Sequence, residues 1–329
     1  MSVSVIIPAH NAEHTLRKGV ECLLHQESRD LEVIIVDDGS TDKTSRVAET
    51  LSGELGSEFA KFSSIRTPNR GACAARNAGV EWSEGQYIQF LDADDYLMPG
   101  KIGAQLEHMR RSDKSDTLLP YGPWILEDAS GPETQRETRQ NQPLLATEKA
   151  EQLGAFLSGW WCPPHVFLWP RELLEATGAW NEDLAADQDG EMFFRALCAG
   201  ATLSWCDEGG SAVYSQHSSS QISRQVTLRS CSSRFEALKI MEREVRRLNL
   251  FSELSYALAV RGYQIFELTV ASHPKLAKQI RAYCETHYKA WPTSGSCQKR
   301  LFEHVFGPQL TYALIEKRNR TVPRAKGTR

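Results

Sequence analysis

The sequence predicts an α/β fold, with a Rossmann-like, mostly parallel sheet between flanking helices and a helical region at the C-terminal end. Short, nearly all-apolar runs recur along the N-terminal third of the chain, and each run is followed by a polar turn and then by helix-forming residues. Strands that are buried on both faces of a parallel sheet have this continuous apolar character. Strands that alternate with helices indicate βαβ units and therefore a layered fold.

Four strands are predicted in order along this part of the chain. The first is VSVIIPA at 3–9, and the second opens LEVIIVDDGSTD at 31–42. The third opens FSSIRTPNRGACAARNAGV at 62–80, which continues as a loop and a helix, and the fourth lies within EGQYIQFLDADD at 84–95. Apolar residues with the spacing of one helical face follow the first strand: Leu16, Val20, Leu23 and Leu24.

The predicted strands end in polar residues that we expect to meet at one edge of the sheet. These ends are 9–11, 37–38, 69–71 and 92–95. In open α/β sheets, ligands bind at the carboxyl ends of the strands. The sequence therefore predicts a ligand site built from these four segments.

Beyond the fourth strand, the chain changes character. Residues 127–143 are polar and turn-rich, which predicts an exposed loop. We predict a main domain over 1–225, a helical extension over 226–316 and a basic, disordered tail over 317–329. The helical extension is predicted to pack through apolar residues at helical spacing, or alternatively to form a binding or oligomerisation surface. These residues are Phe235, Leu238, Met241, Val245 and Leu248, and then Leu254, Leu258, Ile265 and Leu268.

The overall composition is that of a soluble globular protein. The chain has 329 residues and a net charge of −4, which gives no electrostatic signal for nucleic acid. Its 8 cysteines lie far apart and form no C-x-x-C pair, as expected of reduced structural thiols. We see neither a signal peptide nor an apolar stretch long enough to span a membrane, so we expect a cytoplasmic protein.

Three carboxylates follow the fourth strand, at Asp92, Asp94 and Asp95. Like charges this close raise the free-energy cost of ionising one another, so the cluster calls for a cation. Mg²⁺ commonly takes one or two protein carboxylates and completes its coordination with water and phosphate oxygens. A D-x-D pair alone is a weak signal, because many such pairs are turns or solvated surface. The buried strand before this pair and the turn after it favour a metal site with a phosphate-bearing substrate.

Five blocks of the sequence together resemble the family 2 glycosyltransferases, which are inverting enzymes with the GT-A nucleotide-diphospho-sugar transferase fold. The resemblance covers roughly residues 2–220 and leaves the C-terminal helices outside it. The blocks occur in the order VSVIIPAHNAEHTL, EVIIVDDGSTDKT, NRGACAARNAGV, EGQYIQFLDADDYLMPGKI and DQDGEMFFRAL.

The resemblance implies a donor site for a nucleoside-diphosphate sugar. His10 stands where the family usually has an aromatic residue, and its imidazole can still stack on a base. Asp38 matches the acid that accepts a hydrogen bond from the base, whereas Asp37 beside it is as well explained by a turn. The donor contacts implied in this way are Pro8, Ala9, His10, Asn11, Glu13, Asp37, Asp38, Gly71, Arg76, Asn77, Asp92 and Ala93.

The resemblance also implies a bound Mg²⁺ or Mn²⁺ ion. Asp94 would coordinate the ion, and Asp92 would contact the ribose or the metal shell. His217, which follows a tyrosine and precedes serines in VYSQHSSSQIS, could complete the metal or diphosphate contact. The ion would bridge the diphosphate and neutralise charge as the nucleoside diphosphate leaves.

An inverting transfer needs a base that takes the proton of the acceptor hydroxyl. In the family, an acid six residues before an arginine has this role, which selects Asp189 before Arg195. Asp187 is the alternative base, and Asp189 could instead cap the helix that follows it. Gln188 replaces the more usual acid at its position and is placed on the acceptor side.

The segment GWWCPPHVFLW is expected to line the acceptor side of the site. Trp160 and Trp161 could stack on the face of a sugar, or could equally belong to the core. His165 in the same segment is a further candidate acceptor contact.

The resemblance implies a metal-dependent, inverting transfer of a sugar to a hydroxyl of a glycan, a lipid-linked glycan or another acceptor. The donor it implies is a nucleoside-diphosphate sugar, with UDP-sugars as the expected class. The basic tail could rest on an anionic membrane, so peripheral association with the cytoplasmic membrane is part of this expectation. Two alternatives remain open: a catalytically silent nucleotide-sugar sensor or scaffold, and a nucleotidyltransferase. The segment PAHNAEHTL has no Gly, Lys or Arg, which argues against a nucleotidyltransferase phosphate loop.

Overall fold

The structure is a computed structural model, and it describes residues 2–27, 30–113, 116–128, 135–139, 144, 146, 148–216 and 226–288. The chain divides into two compact units, one formed by Met1–Leu145 with Trp161–Ala237 and the other by Ala146–Trp160 with Leu238–Arg329. This division differs from the predicted boundary at residue 225, because residues 226–237 belong to the first unit and residues 146–160 to the second. The predicted tail over 317–329 lies outside the described residues.

The described part of the chain contains strands and helices in alternation, followed by helices. The strands are β1 (Val3–Ala9), β2 (Leu31–Asp38), β3 (Lys61–Thr67), β4 (Tyr87–Phe90), β5 (Tyr96–Leu97), β6 (Leu118–Tyr121), β7 (Trp124–Asp128), β8 (Gln135–Arg139), β9 (Trp169–Pro170), β10 (Thr202–Trp205) and β11 (Ala212–Gln216). The α-helices are α1 (Leu16–Glu21), α2 (Thr44–Leu55), α3 (Ala72–Trp82), α4 (Lys101–Arg110), α5 (Lys149–Leu157), α6 (Arg171–Thr177), α7 (Gln188–Ala199), α8 (Leu228–Arg247), α9 (Phe251–Val270) and α10 (Pro274–His287).

The main sheet of the first unit has the strand order β3-β2-β1-β4-β9. Strands β1 to β4 run parallel and β9 runs antiparallel at the edge, which confirms the predicted α/β class. The chain proceeds from β1 outward to β2 and β3, and then returns to the other side of β1 as β4. The strand order therefore reverses between β1 and β4, and a ligand crevice is expected outside their carboxyl ends.

Burial explains why the strand predictions succeed. Every residue of β1 and β2 is buried, so both strands carry apolar side chains on both faces. Helix α3 packs against this sheet at Gly79, where an added Cβ would collide with Ile6. The close approach fixes the start of α3, and therefore Gly71 and Arg76, relative to the strand ends.

The smaller sheets contain one departure from the prediction. Strands β10 and β6 pair in parallel, and a second sheet has the order β5-β11-β7-β8. The predicted loop over 127–143 contains the end of β7 and the whole of β8, which pair antiparallel. That prediction was wrong for these residues, because an edge strand needs backbone pairing on one side and does not need an apolar composition.

The second unit is helical in its described residues, as predicted for the C-terminal region. Leu238, Met241 and Val245 of α8 are fully buried, and Leu258 of α9 is buried as well. Leu268 departs from the predicted packing face and is 37% exposed. Among the described residues, no helix is both long enough and apolar enough to cross a membrane.

Candidate functional site

A cavity of about 810 Å³ lies in the first unit, at the carboxyl ends of the parallel strands. Its lining includes the segment after β1 and the segment after β4, which are the two strands where the order reverses. The size falls in the range of about 300–1,000 Å³ that is usual for small-molecule sites. The predicted site residues that line it are Pro8, Ala9, His10, Asn11, Asp38, Gly71, Arg76, Asp92, Ala93, Asp94, Trp161, Gln188 and Asp189.

At one end of the cavity, Asp38 holds the turn that leads into α3. Its carboxylate oxygens accept hydrogen bonds from the backbone N–H groups of Arg70 and Gly71, both at 2.8 Å. Gly71 has φ +96°, a left-handed conformation that glycine adopts without strain, and an added Cβ there would meet no atom within 4 Å. The turn therefore stays open toward the cavity.

His10 is oriented by the same segment. Its Nδ1–H donates to the backbone carbonyl of Asp38 at 2.9 Å, and the side-chain amide nitrogen of Asn69 lies 3.3 Å from its Nε2. Asn11 accepts a hydrogen bond from the backbone N–H of Thr41 at 2.9 Å. The imidazole thus has a fixed orientation at the cavity wall.

Three of the predicted donor contacts do not line the cavity. Asp37 is buried and accepts hydrogen bonds from the backbone N–H of Ser40, at 2.8 Å, and from the Ser45 hydroxyl. Its side chain therefore has the turn-forming role that was the alternative for it. Glu13 accepts a hydrogen bond from the backbone N–H of Lys43 at 3.1 Å, and Asn77 pairs with the backbone of Trp180 at 2.9 and 3.0 Å.

The acidic cluster after β4 is split between the cavity and the interior. Asp92 and Asp94 line the cavity and are half-buried. Asp95 is only 2% exposed, and its carboxylate accepts a hydrogen bond from the backbone N–H of Ser215 in β11 at 2.7 Å. Asp95 therefore anchors the loop over residues 92–95 to β11. Two carboxylates of the cluster rather than three face the cavity.

His165 is the interior neighbour of Asp95 rather than a cavity residue. It is fully buried, and its Nδ1 lies 3.1 Å from Asp95 Oδ2. Burial raises the pKa of Asp95 well above its ordinary value, with Asp94 and Asp92 adding to the effect, and burial lowers the pKa of His165 to about 3. Both shifts favour uncharged forms. His165 was predicted to contact the acceptor. Its side chain is instead fully buried beside Asp95 and does not line the cavity.

Arg76 places a buried positive charge between one acid of the D-x-D segment and the predicted base. Its guanidinium lies 2.6 Å from Asp92 Oδ1 and 3.6 Å from Asp189 Oδ1, and it stacks over the Trp180 ring at 4.5 Å. Arg76 is only 3% exposed. Burial by itself lowers the pKa of Arg76, but Asp92 and Asp189 outweigh it and raise the pKa above its ordinary value. Arg76 thus joins the D-x-D segment to the predicted base.

Asp189 lies in the first turn of α7 and faces the cavity. Its side chain is 33% exposed, yet within the described part of the chain no hydrogen bond reaches its Oδ1. Burial raises the pKa of Asp189 to about 6, although Arg76 acts in the opposite direction and Asp92 and Asp187 add to the increase. A carboxylate with a pKa near neutrality is suited to accept a proton from a substrate.

Asp189 does not occupy the N-cap position at the start of α7. The N-cap position of α7 belongs to Asp187, which has φ +61°, and no side chain caps the helix there. Arg195, the residue that guided the sequence prediction, pairs with Glu191 at 2.5 Å and donates to the backbone carbonyl of Thr177. Its role is to fix α7 in place.

The aromatic segment contributes one tryptophan to the cavity. Trp161 is 40% exposed, lines the cavity and packs edge-on against Trp124 and Tyr214, each with ring centroids 5.9 Å away. Trp160 belongs to the second unit and does not line the cavity. Gln188 lines the cavity while its amide donates to the backbone carbonyl of Leu184 at 2.6 Å.

Several lining residues had not been predicted as site residues. Asn69 lay within a strand-end segment that was noticed for its polarity, but it was not assigned a role. Tyr214 and Arg234 are brought to the cavity by β11 and α8. Tyr214 is the tyrosine of VYSQHSSSQIS but was not itself assigned a role, and no local pattern marks Arg234. The additional lining residues are Ala12, Thr15, Asn69, Ala72, Ala75, Pro164, Ala186, Gly190, Tyr214 and Arg234, and Asp187, the alternative base, also lines the cavity.

The residues that face the cavity fit a divalent cation that is bound partly by the protein and partly by the substrate. Asp92 and Asp94 present carboxylates, which are hard oxygen ligands. No group of three or more metal-ligating side chains occurs among the described residues, so the protein would supply these two carboxylates, and phosphate oxygens and water would complete the shell. His217, the third predicted ligand, lies outside the described residues.

Residues 4–161 match the sequence model of Glycosyl transferase family 2. An uncharacterized glycosyltransferase of Haemophilus influenzae is 34% identical over 130 residues, covering 39% of this chain and 49% of the relative. The uncharacterized glycosyltransferase EpsJ of Bacillus subtilis is 28% identical over 215 residues, covering 63% of this chain and 59% of the relative.

The fold is similar to that of a solved structure. The crystal structure of S. aureus TarS 1–349 superposes with a TM-score of 0.60 at 17% identity, covering 97% of this chain and 91% of that one. The same region of TarS in complex with UDP-GlcNAc gives a TM-score of 0.56. The chain spans about half the length of the curated relatives it matches, 49% and 59% for the two named above.

Proposed function

Because residues 4–161 match the sequence model of Glycosyl transferase family 2, we propose that this chain transfers a sugar from a nucleoside-diphosphate sugar to an acceptor hydroxyl, with inversion at the anomeric carbon. The observation that carries the proposal is the arrangement in one cavity of Asp38, the Asp92–Asp94 pair and Asp189, whose pKa is raised to about 6. The cavity thus combines Asp38 for the nucleobase of the donor, the Asp92–Asp94 carboxylates for a cation, and Asp189 to accept a proton.

The donor would lie along the carboxyl ends of the strands. His10 would stack on the base, and Asp38 would accept a hydrogen bond from it with the lone pairs left over from the Arg70 and Gly71 amides. A UDP-sugar is the proposed donor, because TarS, whose fold this chain shares, was crystallised with UDP-GlcNAc. Asp92 and Asp94 would hold Mg²⁺ or Mn²⁺, and that ion neutralises charge on the diphosphate when bound.

Asp189 would act as the general base. Its carboxylate removes the proton of the acceptor hydroxyl as the acceptor oxygen forms a bond to the anomeric carbon. The bond from that carbon to the diphosphate oxygen breaks, and the nucleoside diphosphate leaves with the electron pair. Attack from the face opposite the leaving group inverts the configuration.

Trp161 would present its exposed indole face to the acceptor. Edge contacts with Trp124 and Tyr214 hold the ring at the cavity wall, and a sugar packs against such a face through its C–H groups. A glycan or lipid-linked glycan is the proposed acceptor class.

Metal removal gives the first test of this function. With a panel of nucleotide sugars, we expect one donor to release nucleoside diphosphate in the presence of Mn²⁺ or Mg²⁺. A chelator should lower that release by more than about 100-fold, since a bound metal supplies several kcal/mol of charge stabilisation. Calorimetric titration of the same donor with and without metal measures the binding step separately. Metal-dependent binding without release, under any acceptor offered, would instead favour a nucleotide-sugar-binding protein without turnover.

The pH dependence follows from the pKa of Asp189. The base must be ionised to accept a proton, and its pKa is raised to about 6, so the rate should be constant above pH 7 and fall as the pH drops through about 6. The measurement is kcat at saturating donor from pH 5 to pH 8. Donor binding should change less over the same range. A rate that stays constant down to pH 5 would contradict this assignment.

A further inference from the structure

The first turns of α8 contact the candidate active site, although they lie outside the residues that match the family. The match covers residues 4–161, whereas α8 begins at Leu228. Residues up to Ala237 belong to the first unit, which also contains the cavity. Arg234 of this segment lines the cavity, so the segment reaches the site itself.

Ser233 holds the loop that leads to the predicted base. Its Oγ accepts hydrogen bonds from the backbone N–H groups of Ala185 and Ala186, both at 2.9 Å, and it donates to the backbone carbonyl of Ala186 at 2.7 Å. A hydroxyl has one proton and two lone pairs, so these three bonds use its full capacity. Ser233 is 6% exposed, and water therefore has little access to replace it.

The loop held in this way sets the position of Asp189. Ala186 is followed by Asp187, a non-glycine residue at φ +61°, and then by α7, which carries Asp189 in its first turn. A left-handed conformation is unfavourable for such a residue and persists only where the surroundings fix it. The Ser233 contacts lie directly before this residue, and the side chain of Asp187 itself lines the cavity.

We infer that Ser233 is a positioning residue for the reaction, and that the first turns of α8 are part of the active site. This inference rests on the proposed function of Asp189. Ser233 does not touch substrate; it keeps the loop over residues 185–187 in the conformation that directs Asp189 into the cavity. The C-terminal extension then contributes to catalysis through a contact that lies outside the matched residues 4–161.

The test compares Ser233→Ala with Ser233→Thr, and uses Ser232→Ala as a matched control on the same helix. We expect Ser233→Ala to lower kcat by at least about 10-fold, since small misplacements of a catalytic group cost up to about 100-fold. The KM for the donor and the affinity for the nucleoside diphosphate should stay within about 3-fold of the wild type. Ser233→Thr keeps the hydroxyl and should recover most of the rate. An unchanged kcat in Ser233→Ala, or equal losses of kcat and of donor affinity, would overturn the inference.

A double-mutant cycle shows whether Ser233 acts through the base. In an Asp189→Asn background, adding Ser233→Ala should cause little further loss of residual activity, because the group that Ser233 positions is already absent. Losses that multiply would mean that Ser233 acts on something other than Asp189, and would overturn the inference.

Hydrogen exchange provides a readout that needs no substrate. The amides of residues 181–192 should lose protection by at least about 10-fold in Ser233→Ala and should be unchanged in Ser232→Ala, because only the first substitution removes the partner of two amides. Unchanged protection would overturn the inference whatever the activity. If protection falls as expected but the wild type turns over no donor, the proposed function fails and the positioning contact stands as a structural result.

Discussion

We expect the Asp189→Asn variant to lose about 100- to 10,000-fold in kcat while keeping its affinity for the donor, since this is the usual contribution of a general base. The amide has the same shape as the carboxylate but cannot accept the proton of the acceptor hydroxyl. Donor binding should persist because His10, Asp38 and the Asp92–Asp94 pair are unchanged. The measurements are single-turnover transfer and calorimetric titration with the nucleoside diphosphate.

Two neighbouring substitutions sharpen this experiment. Asp183→Asn changes an exposed acid close in sequence and should leave the rate unchanged. Asp187→Asn tests the alternative base, which also lines the cavity. If Asp187→Asn abolishes transfer and Asp189→Asn retains it, the roles of the two acids are reversed.

Most of the fold could be predicted because its signals are local. The strand predicted over residues 3–9 coincides with β1, since each residue there is buried and the run is nearly all apolar. Strand β8 could not be predicted, because an edge strand made of polar residues leaves no apolar pattern to detect. The prediction thus succeeds where burial is uniform and fails where pairing alone defines the strand.

The site was predicted less completely, because the direction of a side chain is not local information. Asp37 and Asp38 are adjacent acids at the end of β2, and successive strand residues point to opposite faces, so one reaches the cavity and the other faces Ser45. His165 follows Trp161 in one aromatic segment, yet it lies in the interior beside Asp95. Knowing which of each pair faces the cavity required the tertiary structure.

Arg76 shows how the structure changes the interpretation of the acidic cluster. The sequence suggested that a metal ion neutralises the carboxylates, and the structure adds a buried guanidinium between Asp92 and Asp189. These two acids are 27% and 33% exposed, so they remain partly hydrated while the arginine does not. Arg76 therefore lowers the pKa of the base while it holds one acid of the D-x-D segment in place.

We expect Arg76→Gln to slow transfer and to shift its pH dependence upward. Without the guanidinium, burial and Asp92 raise the pKa of Asp189 further, so the fall in kcat should begin about 1 pH unit or more above that of the wild type. Unfolding should be easier by about 1–3 kcal/mol, because the buried hydrogen bond to Asp92 is lost. Both changes are measured on one preparation, by a pH–rate profile and by urea denaturation.

Arg70→Gln is the matched control for this substitution. Arg70 lies just before α3, the helix that carries Arg76, but its side chain is 66% exposed and pairs with Glu182. An exposed pair contributes about 0–1 kcal/mol, so this variant should unfold nearly as the wild type does and keep its pH profile. Arg76→Lys should recover only part of the effect, since an ammonium acts as a single point charge and does not offer two acids the planar fork of a guanidinium. A profile in Arg76→Gln that stays in place or moves to lower pH would mean that Arg76 does not set the ionisation of Asp189, and that its contact with Asp92 is its main role.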